Sequence, residues 1–214
     1  MHKEAKPIAS FIIYLILQVY FSLIGLKILE NASSLAHLIF EIIKYLIIII
    51  ILIFLNKIDL KKEIKDFKLN YKKYLKFILS IWFIGFILMI ISNYFITKTS
   101  SLPNNELSVR TYMNTKFVES IITMVIMAPI LEEITFRYSF SKIKNKYLYL
   151  IISTLLFAMI HINPENASEL PFLIPYSFLG LSFSLIFYKT KNIFASITAH
   201  AIHNYTIIML LLIL

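Results

Sequence analysis

The chain has 214 residues, of which 59% are hydrophobic and 15% charged, with no cysteine and a formal net charge of +9. The lack of cysteine excludes disulfides, a cysteine nucleophile and thiolate metal sites, and apolar runs far longer than a soluble core requires mark an integral membrane protein. The basic residues lie almost entirely between the apolar runs, which is the pattern of membrane orientation and not of nucleic-acid binding.

A helix crosses the hydrocarbon in about 20 apolar residues, and seven windows qualify: about 7–29, 35–55, 75–97, 116–140, 147–162, 172–188 and 193–214. The fold class predicted is an all-α polytopic bundle forming one membrane domain over 1–214. The first run follows basic residues, as a secretory signal does. It exceeds a signal's usual ~7–15 residues and lacks a small-x-small cleavage site, so a retained crossing is expected.

The connections alternate in charge. The N-terminus, 56–76, 141–147 and 189–192 are Lys-rich, whereas 30–34, 98–115 and 163–171 hold Glu30, Glu106, Glu165 and Glu169 and few bases. By the positive-inside rule the N-terminus is cytoplasmic and the C-terminus external. Segment 56–76 interleaves its lysines with Ile58, Leu60, Ile64, Phe67, Leu69, Tyr71 and Tyr74. Two readings are open for it: an interfacial helix on anionic lipid, or a solvated connection that only sets topology. "NASSLAHL" and "LPNNELSVRTYMN" read as short connections.

Most charges within the windows can reach water or a partner: Lys27 and Lys44 can snorkel, Glu41 has Lys44 three residues on, and Lys116 and Glu119 open the fourth window. Those left over are Glu132, Glu133 and Arg137 in the fourth, His161 in the fifth, and His200, His203 and Asn204 in the seventh. An ionisable group at mid-membrane costs at least about 2.5–3.5 kcal/mol, so such residues face protein or water and are functional candidates.

Glu133 and Arg137 are four apart, share a helical face and can neutralise each other. Glu132 is turned about 100° away and is left free, as suits a general base or proton carrier. Pro129 can loosen the helical bonding beside it. At about 1.5 Å per residue from the nearest lysines of the Lys-rich connections, Glu132, His161, His200 and Asn204 lie about 15, 22, 14 and 20 Å deep. They fall in one central layer. His200 and Asn204, four apart, present a joint face that can hold donors for a developing oxyanion, and His203 lies beside them. The bland reading is helix glue by interhelical hydrogen bonds.

"EEITFR" (132–137), "FAMIH" (157–161) and "HAIHN" (200–204) resemble the EExxxR, FxxxH and HxxxN motifs of the CPBP family of CAAX prenyl endopeptidases and bacteriocin-processing or immunity proteins, also called Abi. The resemblance covers about 116–208, leaving 1–115 as three N-terminal helices and the Lys-rich segment. It implies an intramembrane endopeptidase in which Glu132 and His161 activate a water, His200 and Asn204 form the oxyanion hole, and Glu133 and Arg137 support the first motif. No cofactor is implied. A zinc-dependent version would use Glu132, His161 and His200 as ligands, although no HExxH helix is present. A non-proteolytic immunity or scaffold protein and a proton-coupled transporter use the same residue types, but the inverted-repeat symmetry common in such carriers is not evident. The partners implied are membrane lipid and a peptide or membrane-protein substrate. The expected location is a bacterial plasma membrane, from the Lys, Ile and Asn richness of the chain.

Overall fold

The structure is a computed structural model that describes residues 5–213. It is 84% helical, with no strand among the described residues. Residues 1–4, which carry the basic flank of the first crossing, lie outside the described residues. Helices α1 (Ala5–Ile28), α2 (Ser34–Asn56) and α3 (Leu60–Ile96) are followed by a short α4 (Asn104–Thr115). The stretch 117–138 alternates α5 (Phe117–Ser120), a π-helical segment (Ile121–Met127), α6 (Ala128–Glu133) and a second π-helical segment (Ile134–Tyr138). Then come α7 (Lys146–Met159), a 3₁₀ turn (Ala167–Phe172), α8 (Leu173–Thr190) and α9 (Ile193–Ile213). Five helical spans are long and apolar enough to cross a membrane, namely Ile8–Ile28, Ser34–Asn56, Leu60–Ile96, Ala167–Thr190 and Ile193–Ile213. The two other expected windows fall on the interrupted stretch 117–138 and on the shorter α7.

The lipid-facing character of the bundle shows in its rim. Ile8, Leu26, Phe54, Ile91, Tyr147 and Ile213 stand exposed, whereas the fully buried side chains include Phe136, Phe157, Phe183, Glu133 and Arg137. Lipid offers no hydrophobic drive for helix association, so close approach depends on small residues. α8 is wedged between α3 and α7. A Cβ at Gly85 of α3 would sit 2.0 Å from Ser182 Oγ, and one at Gly180 would meet Phe157 Cδ1 at 3.0 Å and the Thr154 carbonyl at 3.2 Å. A larger residue at either crossing would have to displace these neighbours, so glycine favours the close approach.

Three connections differ from the sequence expectation. The Lys-rich stretch 60–76 is neither a separate interfacial helix nor a loose connection, because it is continuous with the membrane part of α3. Thirty-seven residues reach about 55 Å, against about 30 Å of hydrocarbon. Its acidic face is docked on the α8–α9 turn. Asn192 Nδ2 donates to Asp66 Oδ2 and to the Glu63 carbonyl, both at 2.8 Å, and Glu63 Oε2 caps α9 by accepting from Ile193 N at 2.9 Å. Tyr74 OH donates to the same Asp66 carboxylate at 2.8 Å. Asn56, at the end of α2, donates to Ser139 Oγ at 3.2 Å and lies 3.4 Å from Ser10 Oγ, so the Lys-rich connections share one end of the bundle.

The second difference is segment 98–115, which is not a plain connection but carries α4, placed across the opposite end. The third is Glu169. Expected as a loop acid, it is only 1% exposed, and its carboxylate accepts from Asn163 N (2.8 Å), Asn104 N (3.3 Å) and Asn166 Nδ2 (3.4 Å). One buried carboxylate thus closes the loop after α7 and caps α4. At this end Glu119 accepts from Ser34 Oγ and Tyr112 OH, both at 2.9 Å, and pairs with Lys116 at 3.6 Å; the expected Glu41–Lys44 pair also forms.

Candidate active site

The interrupted stretch 117–138 sets the position of the acidic pair. Ala128 N donates to Thr123 O, five residues back, so the chain enters α6 in π register. In that register the donor for the Met124 carbonyl would be residue 129, which is proline and has no N–H. The carbonyl, left without that backbone donor, needs another partner. Asn204 Nδ2 supplies it from α9 at 2.7 Å. The second π segment is served in the same way, with Ser153 Oγ of α7 donating to Phe136 O at 2.6 Å. The two register shifts bracket α6, which presents Glu132 and Glu133 to different neighbours.

Glu133 and Arg137 form the expected pair, Oε2 to Nε at 3.1 Å, and both are fully buried. The guanidinium lies over the rings of Phe157 (4.5 Å) and Phe183 (5.7 Å), an aromatic bed for a desolvated cation. Glu133 has a second partner that sequence reading missed: its Oε1 is 2.9 Å from His200 Nδ1. A carboxylate only accepts when ionised, so His200 Nδ1 carries the proton of that bond. Helical spacing revealed the four-residue pair but held no signal for a contact 67 residues away.

Glu132 faces the other way. Its Oε2 is buried without a hydrogen-bond partner, 3.8 Å from His161 Nε2 and 4.0 Å from His200 Nε2. His161 does not belong to the body of α7, as its window suggested; it occupies the turn just beyond Met159. There its Nδ1 donates to the Phe157 carbonyl at 2.7 Å, leaving Nε2 as an acceptor aimed at Glu132. Phe157 joins the motifs together: its ring lies 4.5 Å from that of His161 and 5.6 Å from that of His200. Phe183 stacks on His200 at 4.7 Å, and Tyr176 lies against His161 at 4.8 Å.

Glu132, His161, His200, His203 and Asn204 all line one cavity of about 350 Å³. Tyr45, Met89, Met124, Leu179 and Ile207 give it an apolar wall, and α4 contributes Asn105, Glu106 and Val109 at its rim. Asn105 Nδ2 donates to Tyr176 OH at 3.2 Å, linking the rim helix to the ring that packs on His161. A larger open groove of about 750 Å³, between α1 and the end of α2, includes none of the motif residues and so has no bearing on the chemistry. Among the described residues, no group of three or more His, Asp and Glu side chains has the arrangement of a metal site.

The five sequence-distant residues thus share one cavity, with Glu133 and Arg137 packed behind it. Asn204 spends one amide hydrogen on Met124 O and has a second. His203 is 7% exposed, and its Nδ1 has no hydrogen-bond partner.

No curated protein and no solved structure matches the chain. Residues 114–206, which include all the motif positions, match the family described as Type II CAAX prenyl endopeptidase Rce1-like.

Proposed function

We propose that the protein is a multi-pass intramembrane endopeptidase that hydrolyses a peptide bond with a water activated by Glu132 and His161. The observation that carries this reading is the separation of 3.8 Å between two acceptors, Glu132 Oε2 and His161 Nε2. They are too far apart to bond directly, and neither has a proton for the other. A single water can donate one hydrogen to each, at hydrogen-bond distances of about 2.8 Å. Glu132 takes a proton from that water as its oxygen attacks the scissile carbonyl, and later delivers it to the leaving amine.

The oxyanion is met from the α9 side. His200 already uses its Nδ1 proton on Glu133, so Nε2 donates only when the ring is an imidazolium. Its Nε2–H and the second amide hydrogen of Asn204 are the donors assigned to the oxyanion, a role worth about 3–4 kcal/mol per donor. Glu133 and Arg137 hold His200 in place and do not touch substrate. The reaction needs no metal in this form; a zinc-dependent form would draw on Glu132, His161 and His200.

The substrate is assigned by class: a peptide or surface protein processed at a bacterial plasma membrane, with the Lys-rich end of the bundle on the cytoplasmic side. Peptides from membranes and medium of cells carrying wild type or Glu132→Ala, compared by mass spectrometry, test the proposal. Fragments present only with wild type support proteolysis. Full biological function with Glu132→Ala supports a non-proteolytic immunity or scaffold role and overturns it.

A further inference from the structure

Apart from the Glu132 carboxylate, two polar atoms on the cavity wall have no hydrogen-bond partner within the protein. His203 Nδ1 on α9 and Asn93 Oδ1 on α3 are both buried and unbonded, and both residues line the cavity that holds Glu132 and His161. Neither takes part in the reaction above. By contrast, several other polar side chains there are engaged: Asn204 on the Met124 carbonyl, Asn105 on Tyr176, His200 on Glu133 and His161 on the Phe157 carbonyl. A buried polar atom left unpaired is destabilising, and lipid cannot relieve it.

The two atoms belong to one wall. α3 and α9 pack together, and the His203 ring meets Phe86 of α3 edge-on at 5.9 Å and Phe183 at 6.2 Å. Phe86, Met89 and Asn93 follow one another at helical spacings of three and four, so they share a face of α3. Met89 and Asn93 both reach the cavity. Asn93 therefore lies about 10 Å along α3 from the contact with His203. An extended peptide covers that span in about three residues.

We propose that His203 and Asn93 form a subsite that binds the main chain of an extended substrate peptide beside the scissile bond. Asn93 Oδ1 accepts a main-chain N–H, and the neutral His203 ring pairs with a second main-chain group through Nδ1. A hydrocarbon chain laid on this wall would leave both atoms unpaired, so the wall selects the peptide part of a substrate and not a lipid part. This inference rests on the peptidase reading for its substrate class.

The test uses the full-length protein in nanodiscs and a pool of internally quenched apolar decapeptides, each made with and without an S-farnesyl cysteine. The peptide cleaved best by wild type is remade with a single N-methyl group at each position in turn. Asn93→Leu and His203→Phe are each expected to raise KM about tenfold, equivalent to about 1.4 kcal/mol, with the effect in KM and not in kcat. N-methylation at one position should cost wild type a similar factor and cost Asn93→Leu nothing. Unchanged KM in both variants, or an N-methyl scan without a sensitive position in wild type, overturns the subsite; the scan does not depend on any variant folding. If wild type cleaves no peptide, the peptidase reading fails separately. Binding of the same pool by fluorescence anisotropy then decides the subsite: weaker binding by the variants supports it, and equal binding overturns it.

Discussion

The carboxylate of Glu133 holds His200 and Arg137 at once, with Oε1 2.9 Å from His200 Nδ1 and Oε2 3.1 Å from Arg137 Nε. The support pair of the first motif is thereby also the device that orients the imidazole of the third. Removing Glu133 leaves a buried guanidinium without its counter-charge, which costs about 3–5 kcal/mol. Glu133→Ala should therefore lose both thermal stability and cleavage. Glu133→Gln, which keeps the shape but not the charge, should retain more of the fold than of the activity. Melting curves and cleavage rates measured side by side separate the two effects.

Glu132 behaves in the opposite way. Its Oε2 has no hydrogen-bond partner in the protein, so Glu132→Gln removes a buried charge without orphaning a neighbour. Cleavage should fall by at least about 10²–10⁴-fold, the contribution of a general base, with a melting temperature equal to or above that of wild type. A Glu132→Gln variant that melts much earlier than wild type would show the residue to be structural.

Asn204 is expected to have a structural share that a double variant can isolate. Asn204→Leu leaves the Met124 carbonyl unpaired, a loss of about 1–3 kcal/mol. Pro129→Ala restores the missing backbone N–H, so the double variant should recover stability relative to Asn204→Leu alone. It should not recover cleavage, because the oxyanion donor is still missing.

The clamp at the Lys-rich end predicts a stability effect far from the site. Asn192→Ala removes the donor to Asp66 and to the Glu63 carbonyl and should destabilise by about 1–3 kcal/mol. Because Glu63 caps the helix that carries His200, the loss should also appear as faster hydrogen exchange in the first turns of α9.

Cleavage should survive exhaustive chelation, with elemental analysis finding less than one zinc per chain. Stoichiometric zinc, with activity lost on its removal and restored on its return, would establish the zinc-dependent form instead.

The residues 132–137 already held part of this in their order. A 3.6-residue helix puts Glu133 and Arg137 on one face and turns Glu132 away, and that division persists although residues 134–138 are π-helical. Counting residues from the nearest lysines put Glu132, His161, His200 and Asn204 in one layer, and all four line one cavity. Local periodicity and apolar length are properties of short windows, which is why they are readable in one dimension. What only the tertiary structure decided involves partners with no sequence label: the Glu133–His200 bond, the Met124 carbonyl that Asn204 serves, the burial of Glu169, and the docking of α3 on Asn192. Each depends on a backbone register or an interhelical approach. Every residue has a carbonyl, and only the packed fold determines which one lacks its own N–H and must be met by a side chain from another helix.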